Sequence, residues 1–132
     1  VFLATSSADD SSTPDVMRLA LRSADSGGEG QLNVSPNLVS GVEKHLAVVV
    51  NGQNGGLALY VDGTLADSGT SNALQGQLST LTDNNNWLGR SQFSADAGFE
   101  GSLLEFRIYD RALNAQQIGL SFDLGPDAPV SP

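Results

Sequence analysis

The sequence predicts an all-β fold, an antiparallel two-sheet sandwich that carries one short C-terminal helical turn. Apolar residues alternate with polar or small ones, with a period of two, over residues 17–21 and 57–61, which is the pattern of strands with one buried face. The dipeptide Asp62-Gly63 follows the second of these runs and is a strong hairpin signal. A helix-capping pattern is found only near the C-terminus, so strands dominate the prediction.

Length and composition limit the classes of function. The chain has 132 residues, which suits one domain, and no cysteine, so neither disulfides nor a thiolate zinc site stabilise it. Its formal net charge of −9 makes nucleic acid and anionic membranes poor partners. The longest apolar run, residues 46–50, is strand-sized, and no run approaches the ~20 residues of a membrane helix. The start lacks the basic leader of a signal peptide, as expected of either a processed chain or an excised fragment.

Three strands are predicted in the first third of the chain. Residues 1–5 form a short apolar strand candidate that ends in a polar loop. Met17, Leu19 and Leu21 share one face of the next candidate, which we expect to be half-buried. A further strand at residues 31–34 follows a glycine-rich turn. These glycines lack the spacing of a phosphate-binding loop.

The middle of the chain predicts a three-stranded antiparallel meander. Residues 45–51 are almost continuously apolar, as expected of a central strand covered on both faces. Residues 57–61 alternate, and Asp62-Gly63 favours a type I′ turn because both central positions need positive φ. Residues 64–66 are then expected to pair back on the preceding strand.

Two more strands and the helix are predicted in the last third. Residues 87–90 suggest a strand, and from Gly101 the alternation returns, with Leu104, Phe106 and Ile108 on one face of the next candidate.

The helix begins with an Asn-x-x-Gln capping box at Asn114 and Gln117, flanked by Leu113 and Ile118 at the positions of a hydrophobic staple. Residues 122–126 end it. We expect the sandwich to occupy residues 1–125 and the proline-rich residues 126–132 to form a tail or linker.

Taken in order, four segments resemble one family. They are an H-x-A-V strand at residues 45–50, L-x-L-Y-V-D-G at 57–63, L-G-R-S at 88–91 and F-x-G-x-L-x-E-x-R-I-Y-x-R-A-L at 99–113. This order is similar to the laminin G-like jelly roll of the concanavalin A-like lectin/glucanase superfamily. The resemblance implies two antiparallel sheets, one of them curved, with ligands bound at rim loops or on the concave face. It names no single ligand, since this fold hosts lectins, protein-binding modules and glycanases.

One departure from the family bears on assembly. Domains of this family normally begin with further strands, including an aromatic one, and the resemblance therefore implies a sandwich that is incomplete at its N-terminus. Open sheet edges would then be available for strand addition by a partner or by a second copy of the chain.

The sequence predicts no catalysis. Retaining glycanases of the resembling superfamily carry carboxylates two and four residues apart on one strand, whereas Glu100 and Glu105 are five apart and would face opposite sides of a strand. Glu105 is more simply a structural partner of Arg107. His45 is the only histidine and has no nucleophile motif near it, so we interpret it as structural.

A recognition site is predicted in the loops between the strands. A sugar site needs an aromatic platform beside hydrogen-bonding amides, although each aromatic residue here has an alternative role in packing. The predicted ligand-binding residues are Asn85, Asn86, Trp87, Gln92 and Phe93. Phe99 is a further aromatic candidate on the same loop as Phe93.

Calcium is the one cofactor that the sequence leaves open. The resemblance extends to pentraxins, in which acidic and amide side chains after the Leu-Gly segment bind calcium. Here Gln92 keeps an amide, but Ser91 and Phe93 replace acidic residues. A different loop site, in which the oxygen ligands suit calcium, would use Asp83, Asn84, Asn85 and Asp96. Asn and Asp are also simply good turn formers.

The preferred function is a non-catalytic, extracellular or cell-surface recognition or adhesion module that binds carbohydrate or protein through its rim loops. The main alternative is a structural subunit that assembles through open sheet edges into an oligomer or filament. A weaker alternative is a spacer beside a catalytic domain. None of the three predicts a nucleic-acid partner or membrane insertion.

Overall fold

The structure of the chain is a computed structural model that describes residues 2–7, 16–21, 30–35, 38, 41–71, 75, 78–80, 86–90 and 98–131. Within these ranges the protein is mostly β, with two three-stranded antiparallel sheets and one short helix, as predicted for a jelly-roll sandwich. The elements are β1 (Phe2–Ser7), β2 (Val16–Leu21), β3 (Gly30–Val34), β4 (Leu46–Asn51), β5 (Gly56–Val61), β6 (Thr64–Thr70), a 3₁₀ turn (Leu78–Thr80) and α1 (Ala115–Leu124).

The first sheet has the strand order β1-β2-β3. Leu19 of β2 lies opposite Leu3 on one side and Leu32 on the other. The predicted apolar face of β2 is buried, but the prediction that β2 is half-buried was wrong, since Val16 and Ala20 on its other face are buried too. A strand with neighbours on both edges is more easily covered on both faces than its alternation alone suggests.

The second sheet, β4-β5-β6, is the predicted meander. Asp62 and Gly63 have φ values of 50° and 74°, and Val61 pairs directly with Thr64, which together confirm the two-residue type I′ turn. The prediction that β4 is covered on both faces was wrong, whereas its central position stays a prediction. Among the described strands β4 pairs only with β5, and all six of its residues are half-buried.

The hydrophobic core lies between β2, β3 and β5, and its buried residues are Met17, Leu19, Leu21, Leu32, Leu57 and Leu59. The two sheets approach each other closely where β3 meets β6 and the residue after it. A Cβ atom on Gly69 would lie 3.0 Å from Leu32 Cδ2, and one on Gly30 would lie 2.5 Å from Ser71 Cβ. Glycine at these two positions therefore permits the sheets to pack.

Two predicted strands are absent from the described part of the chain. Residues 87–90 form a bend around Gly89, which has a φ of 77°, and residues 101–110 pair with none of the described strands. Alternation specifies an extended chain with two unlike faces, but a strand also needs a hydrogen-bonded neighbour, which alternation does not supply. Leu104, Phe106 and Ile108 consequently remain exposed.

Helix α1 is longer than the single turn that the sequence suggested. The predicted capping box is present, with the Gln117 backbone N–H donating to Asn114 Oδ1 and the Asn114 N–H donating to Gln117 Oε1, both at 2.9 Å. Ile118, at the predicted staple position, is buried. The helix ends at Leu124, and the Gly125 N–H donates to the Phe122 carbonyl oxygen at 3.1 Å. No helix among the described residues is long and apolar enough to cross a membrane.

The helix packs against the hairpin between β5 and β6, in a contact that we call the turn–helix junction (His45, Asp62, Gly63 and Phe122). The backbone N–H of Asp62 donates to the His45 carbonyl oxygen at 2.9 Å, and the His45 N–H donates to Asp62 Oδ1 at 3.1 Å. The rings of His45 and Phe122 lie 5.9 Å apart and are tilted. A Cβ atom on Gly63 would lie 3.1 Å from the Phe122 Cβ. The turn therefore sets how closely the helix approaches.

Charges at this junction shift two pKa values. The hydrogen bond from Lys44 Nζ to Asp62 Oδ2, at 2.5 Å, lowers the pKa of Asp62, although both side chains are about one-third exposed. Partial burial lowers the pKa of His45 below its ordinary value; the Asp62 carboxylate opposes this shift and the Arg107 cation adds to it. The folded protein therefore favours the neutral imidazole.

The proline-rich end of the chain contacts α1. Gln117 Nε2 donates to the Ser131 carbonyl oxygen at 2.9 Å, and Val130 is buried. The division between a sandwich at residues 1–125 and a tail from residue 126 stays a prediction.

We expect Gly63→Ala to destabilise the protein more than Gly41→Ala. Both glycines have positive φ values, 74° and 78°, but a Cβ on Gly41 would meet nothing within 4 Å. The backbone conformation should cost each variant ~1 kcal/mol, and crowding against Phe122 should cost Gly63→Ala about 1 kcal/mol more. Urea unfolding of the two variants measures the difference, and equal losses would contradict the close packing of turn and helix.

We expect acidification to destabilise the junction through His45. The folded-state pKa of His45 is lowered. Its contribution to the free energy of unfolding is therefore complete above its unfolded pKa of about 6.5 and is lost as pH falls through the folded-state pKa. His45→Gln, which cannot be protonated, should flatten the dependence of Tm on pH between about 5 and 7 in calorimetry. The hydrogen bond from Lys44 lowers the pKa of Asp62 further away from this pH range, so Asp62 does not contribute to the change attributed to His45. Superimposable curves for the two proteins would refute the assignment.

Candidate functional site

The structure describes two of the residues predicted to bind ligand. Asn86 and Trp87 lie on the irregular segment at residues 86–90, and both are exposed. The other predicted ligand or metal residues lie outside the described ranges: Asp83, Asn84, Asn85, Gln92, Phe93 and Asp96.

Trp87 presents an aromatic surface to solvent. Its side chain is 43% exposed, and the guanidinium carbon of Arg90 lies 4.1 Å from the ring centroid. A cation over an indole ring is attracted by the negative charge density of the ring face. We call this pair the Trp87 platform. Stacking covers one face of the indole and limits the motion of the ring.

The segment that carries the platform is held by a neighbouring piece of chain. The Phe99 N–H donates to the Gly89 carbonyl oxygen at 2.8 Å. Phe99 is itself partly exposed and folds over Gly101, where a Cβ atom would lie 2.6 Å from the Phe99 Cζ. This backbone hydrogen bond therefore joins residues 86–90 to residues 98–101, and the role of Phe99 in binding stays a prediction.

Arg90 is the functional candidate that sequence reasoning missed. It was noted only as part of the Leu-Gly-Arg-Ser segment, without a role of its own. The sequence signal for this stacking is that Arg90 comes three residues after the single tryptophan, with Gly89 between them. A glycine with positive φ lets the chain reverse within this short distance, so that the arginine reaches back over the ring.

A second concave surface lies on the outer face of β4 and β5. It is shallow and open, about 180 Å³ in volume, and is lined by Val49, Asn51, Asn54 and Ala58 among others. Pockets for small molecules are typically ~300–1,000 Å³. Both asparagines already serve the turn, because Asn51 Oδ1 accepts from the Gln53 N–H and Asn54 Oδ1 from the Gly56 N–H. This depression is therefore the weaker candidate.

Glu105 and Arg107 form a structural cluster rather than an acid–base pair. Arg107 donates from Nε and Nη2 to the two carboxylate oxygens of Glu105, each at 2.5 Å, which confirms the predicted pairing. Arg107 Nη1 also lies 3.3 Å from the Ala128 carbonyl oxygen. The carboxylate of Glu105 raises the pKa of Arg107 and additionally accepts from the Asp127 N–H at 3.1 Å.

The described residues contain no group of three or more His, Cys, Asp or Glu side chains placed to hold a metal ion. The four residues proposed for calcium are not among those residues, so the calcium site stays a prediction.

No curated protein matches this chain. Among solved structures, the chain is similar to the 2.1 Å crystal structure of an S-layer domain-containing protein from Clostridium thermocellum, with a TM-score of 0.51 and 25% sequence identity. The match covers 84% of this chain and 58% of that one, so the chain spans a little more than half of the solved structure.

A laminin G family model, described as the concanavalin A-like lectin/glucanases superfamily, matches residues 7–119. This match covers most of the chain and includes the hairpin at the turn–helix junction, the Trp87 platform and the capped start of α1. The chain therefore belongs to the laminin G-like family of the concanavalin A-like lectin/glucanase superfamily.

Proposed function

We propose that this chain is a non-catalytic recognition module that binds carbohydrate at the Trp87 platform. The observation that supports the proposal is the exposed indole, 43% accessible, with Arg90 stacked 4.1 Å from the ring centroid. The bend at residues 86–90 lies outside any strand, where recognition residues are commonly found because loops are carried on a rigid scaffold.

The chemistry of the platform suits a sugar ring. The C–H groups on one face of a pyranose can pack on the open face of the indole, which removes apolar surface from water on both partners. Arg90 has five N–H donors, and those not turned to the ring are available for hydroxyl groups. Asn86 precedes the ring in the same exposed segment and adds an amide. Asn85, Gln92 and Phe93 remain the proposed extension of this site.

The absence of catalysis is part of the proposal. Glu105 is occupied by Arg107 and by the Asp127 N–H, which leaves it poorly suited to act as a general acid or a nucleophile.

An extracellular or cell-surface location fits this function. The family description names lectins, and the solved neighbour is described as an S-layer domain-containing protein. The acidic surface, with a net charge of −9, supports solubility and disfavours nucleic acid as a partner. We propose that the domain forms part of a larger surface protein.

We expect Trp87→Ala to weaken binding on a glycan array by about tenfold or more, because the stacking surface is lost. Leu88→Ala is the matched control, since Leu88 is the neighbouring residue and is 56% exposed. The control should bind as the parent protein does. Equal effects of the two substitutions, or an unchanged Trp87→Ala variant on a glycan that the parent binds, would contradict the platform.

Calcium at Asp83, Asn84, Asn85 and Asp96 is proposed as a separate loop site. Calcium should raise the melting temperature of the parent chain, because a ligand that binds only the folded state stabilises it. A chelator should reverse the rise, and the double variant Asp83→Ala/Asp96→Ala should not respond. Calorimetry with magnesium in place of calcium is the control. A melting temperature that is unmoved by calcium and by chelator would refute this site.

A further inference from the structure

Three apolar side chains form an uncovered stripe on the segment at residues 103–109. Leu104, Phe106 and Ile108 are 62%, 61% and 83% exposed; we call them the apolar stripe. The alternate residues Glu105 and Arg107 face the body of the protein, where Arg107 contacts Ala128 and Nη1 lies 3.5 Å from Ser121 Oγ of α1. These contacts lie on the face opposite the stripe, on which Leu103 is nevertheless also 57% exposed.

The backbone of this segment also lacks a partner within the described ranges. Residues 102–109 have no ladder assignment, and no backbone hydrogen bond joins residues 103–109 to any of the described ranges. An extended segment with open N–H and C=O groups is a template for strand addition. An exposed apolar surface beside it marks an interaction site. The two features coincide here over the same residues.

The order of residues makes the segment complementary to itself. In an antiparallel pair centred on Phe106, Glu105 lies opposite Arg107 of the second copy, and Leu104 lies opposite Ile108. Phe106 lies opposite Phe106 at the two-fold axis. Opposite charges and apolar pairs stabilise strands when they are directly across from each other, and a symmetric pair repeats each contact twice.

Charge favours a second copy at this segment even though the whole chain is acidic. Residues 103–109 contain one glutamate and one arginine, so two copies meet there without net repulsion. The Glu105 and Arg107 side chains are already ordered by their own ion pair, which reduces the side-chain entropy that pairing would cost.

We propose that two copies of this chain associate through antiparallel pairing of residues 103–109, with Phe106 on the two-fold axis. This interface is separate from the Trp87 platform and does not depend on carbohydrate binding. The dimer would be bivalent, since it presents two recognition sites.

Sedimentation of the purified chain over a range of concentrations tests the association. We expect a monomer–dimer equilibrium. Phe106→Lys, which places two like charges face to face, should weaken it by about tenfold or more. Val42→Lys is the control, because Val42 is 54% exposed and lies outside the stripe. Circular dichroism and thermal unfolding establish that both variants fold.

Disulfide trapping tests the register, and the natural chain has no cysteine to interfere. Phe106→Cys should form a covalent dimer under mild oxidation, since directly opposite Cβ atoms lie ~5 Å apart. Leu104→Cys alone should not, because its copies would be roughly 14 Å apart along the strand. A mixture of Leu104→Cys with Ile108→Cys should cross-link.

Four results would overturn the proposal. They are a parent chain that stays monomeric, a dimer unaffected by Phe106→Lys, equal trapping at positions 104 and 106, and protection of the 103–109 amides from hydrogen exchange in the dilute monomer. The last would mean that another part of the same polypeptide covers the stripe.

Discussion

The contact between the Asp62-Gly63 turn and helix α1 is the constraint on which the rest of the described fold depends. The type I′ turn fixes the register of β5 and β6. Gly63 of the same turn packs against Phe122 of the helix. A side chain at Gly63 would separate sheet from helix. The helix in turn holds Arg107 and the C-terminal residues. The positive φ values of this one turn therefore influence where α1, Arg107 and the C-terminal residues lie.

Sequence reasoning succeeded where short-range chemistry determines the structure. Positive φ at Asp62 and Gly63 follows from the residue types, and the capping box at Asn114 and Gln117 follows from their spacing. It failed where the answer depends on a distant neighbour. The continuous apolar run of β4 does not reveal that one of its edges lacks a described partner, and the alternation at residues 101–110 does not supply a strand to pair with. The stacking of Arg90 on Trp87 needed the conformation of Gly89, which a sequence does not give.

The two surfaces proposed for binding differ in how their exposure arises. The Trp87 platform lies on irregular chain and is shaped by stacking and by one backbone bond from Phe99. The apolar stripe lies on extended chain and is exposed because Glu105 and Arg107, on the opposite face, are anchored. Polar contacts on one face of the segment thus leave the apolar residues of the other face exposed. The proposed ligand site and the proposed dimer interface therefore lie on different surfaces of the molecule.

The position of the tryptophan has an optical consequence. Because the chain contains one tryptophan and its indole is part of the surface platform, the intrinsic emission of the protein reports on that surface and not on the core. A chromophore that is stacked against a guanidinium group and partly exposed to water responds to a ligand that displaces that water. Occupation of the platform would alter this emission, and the molecule thus carries a label at its own candidate site.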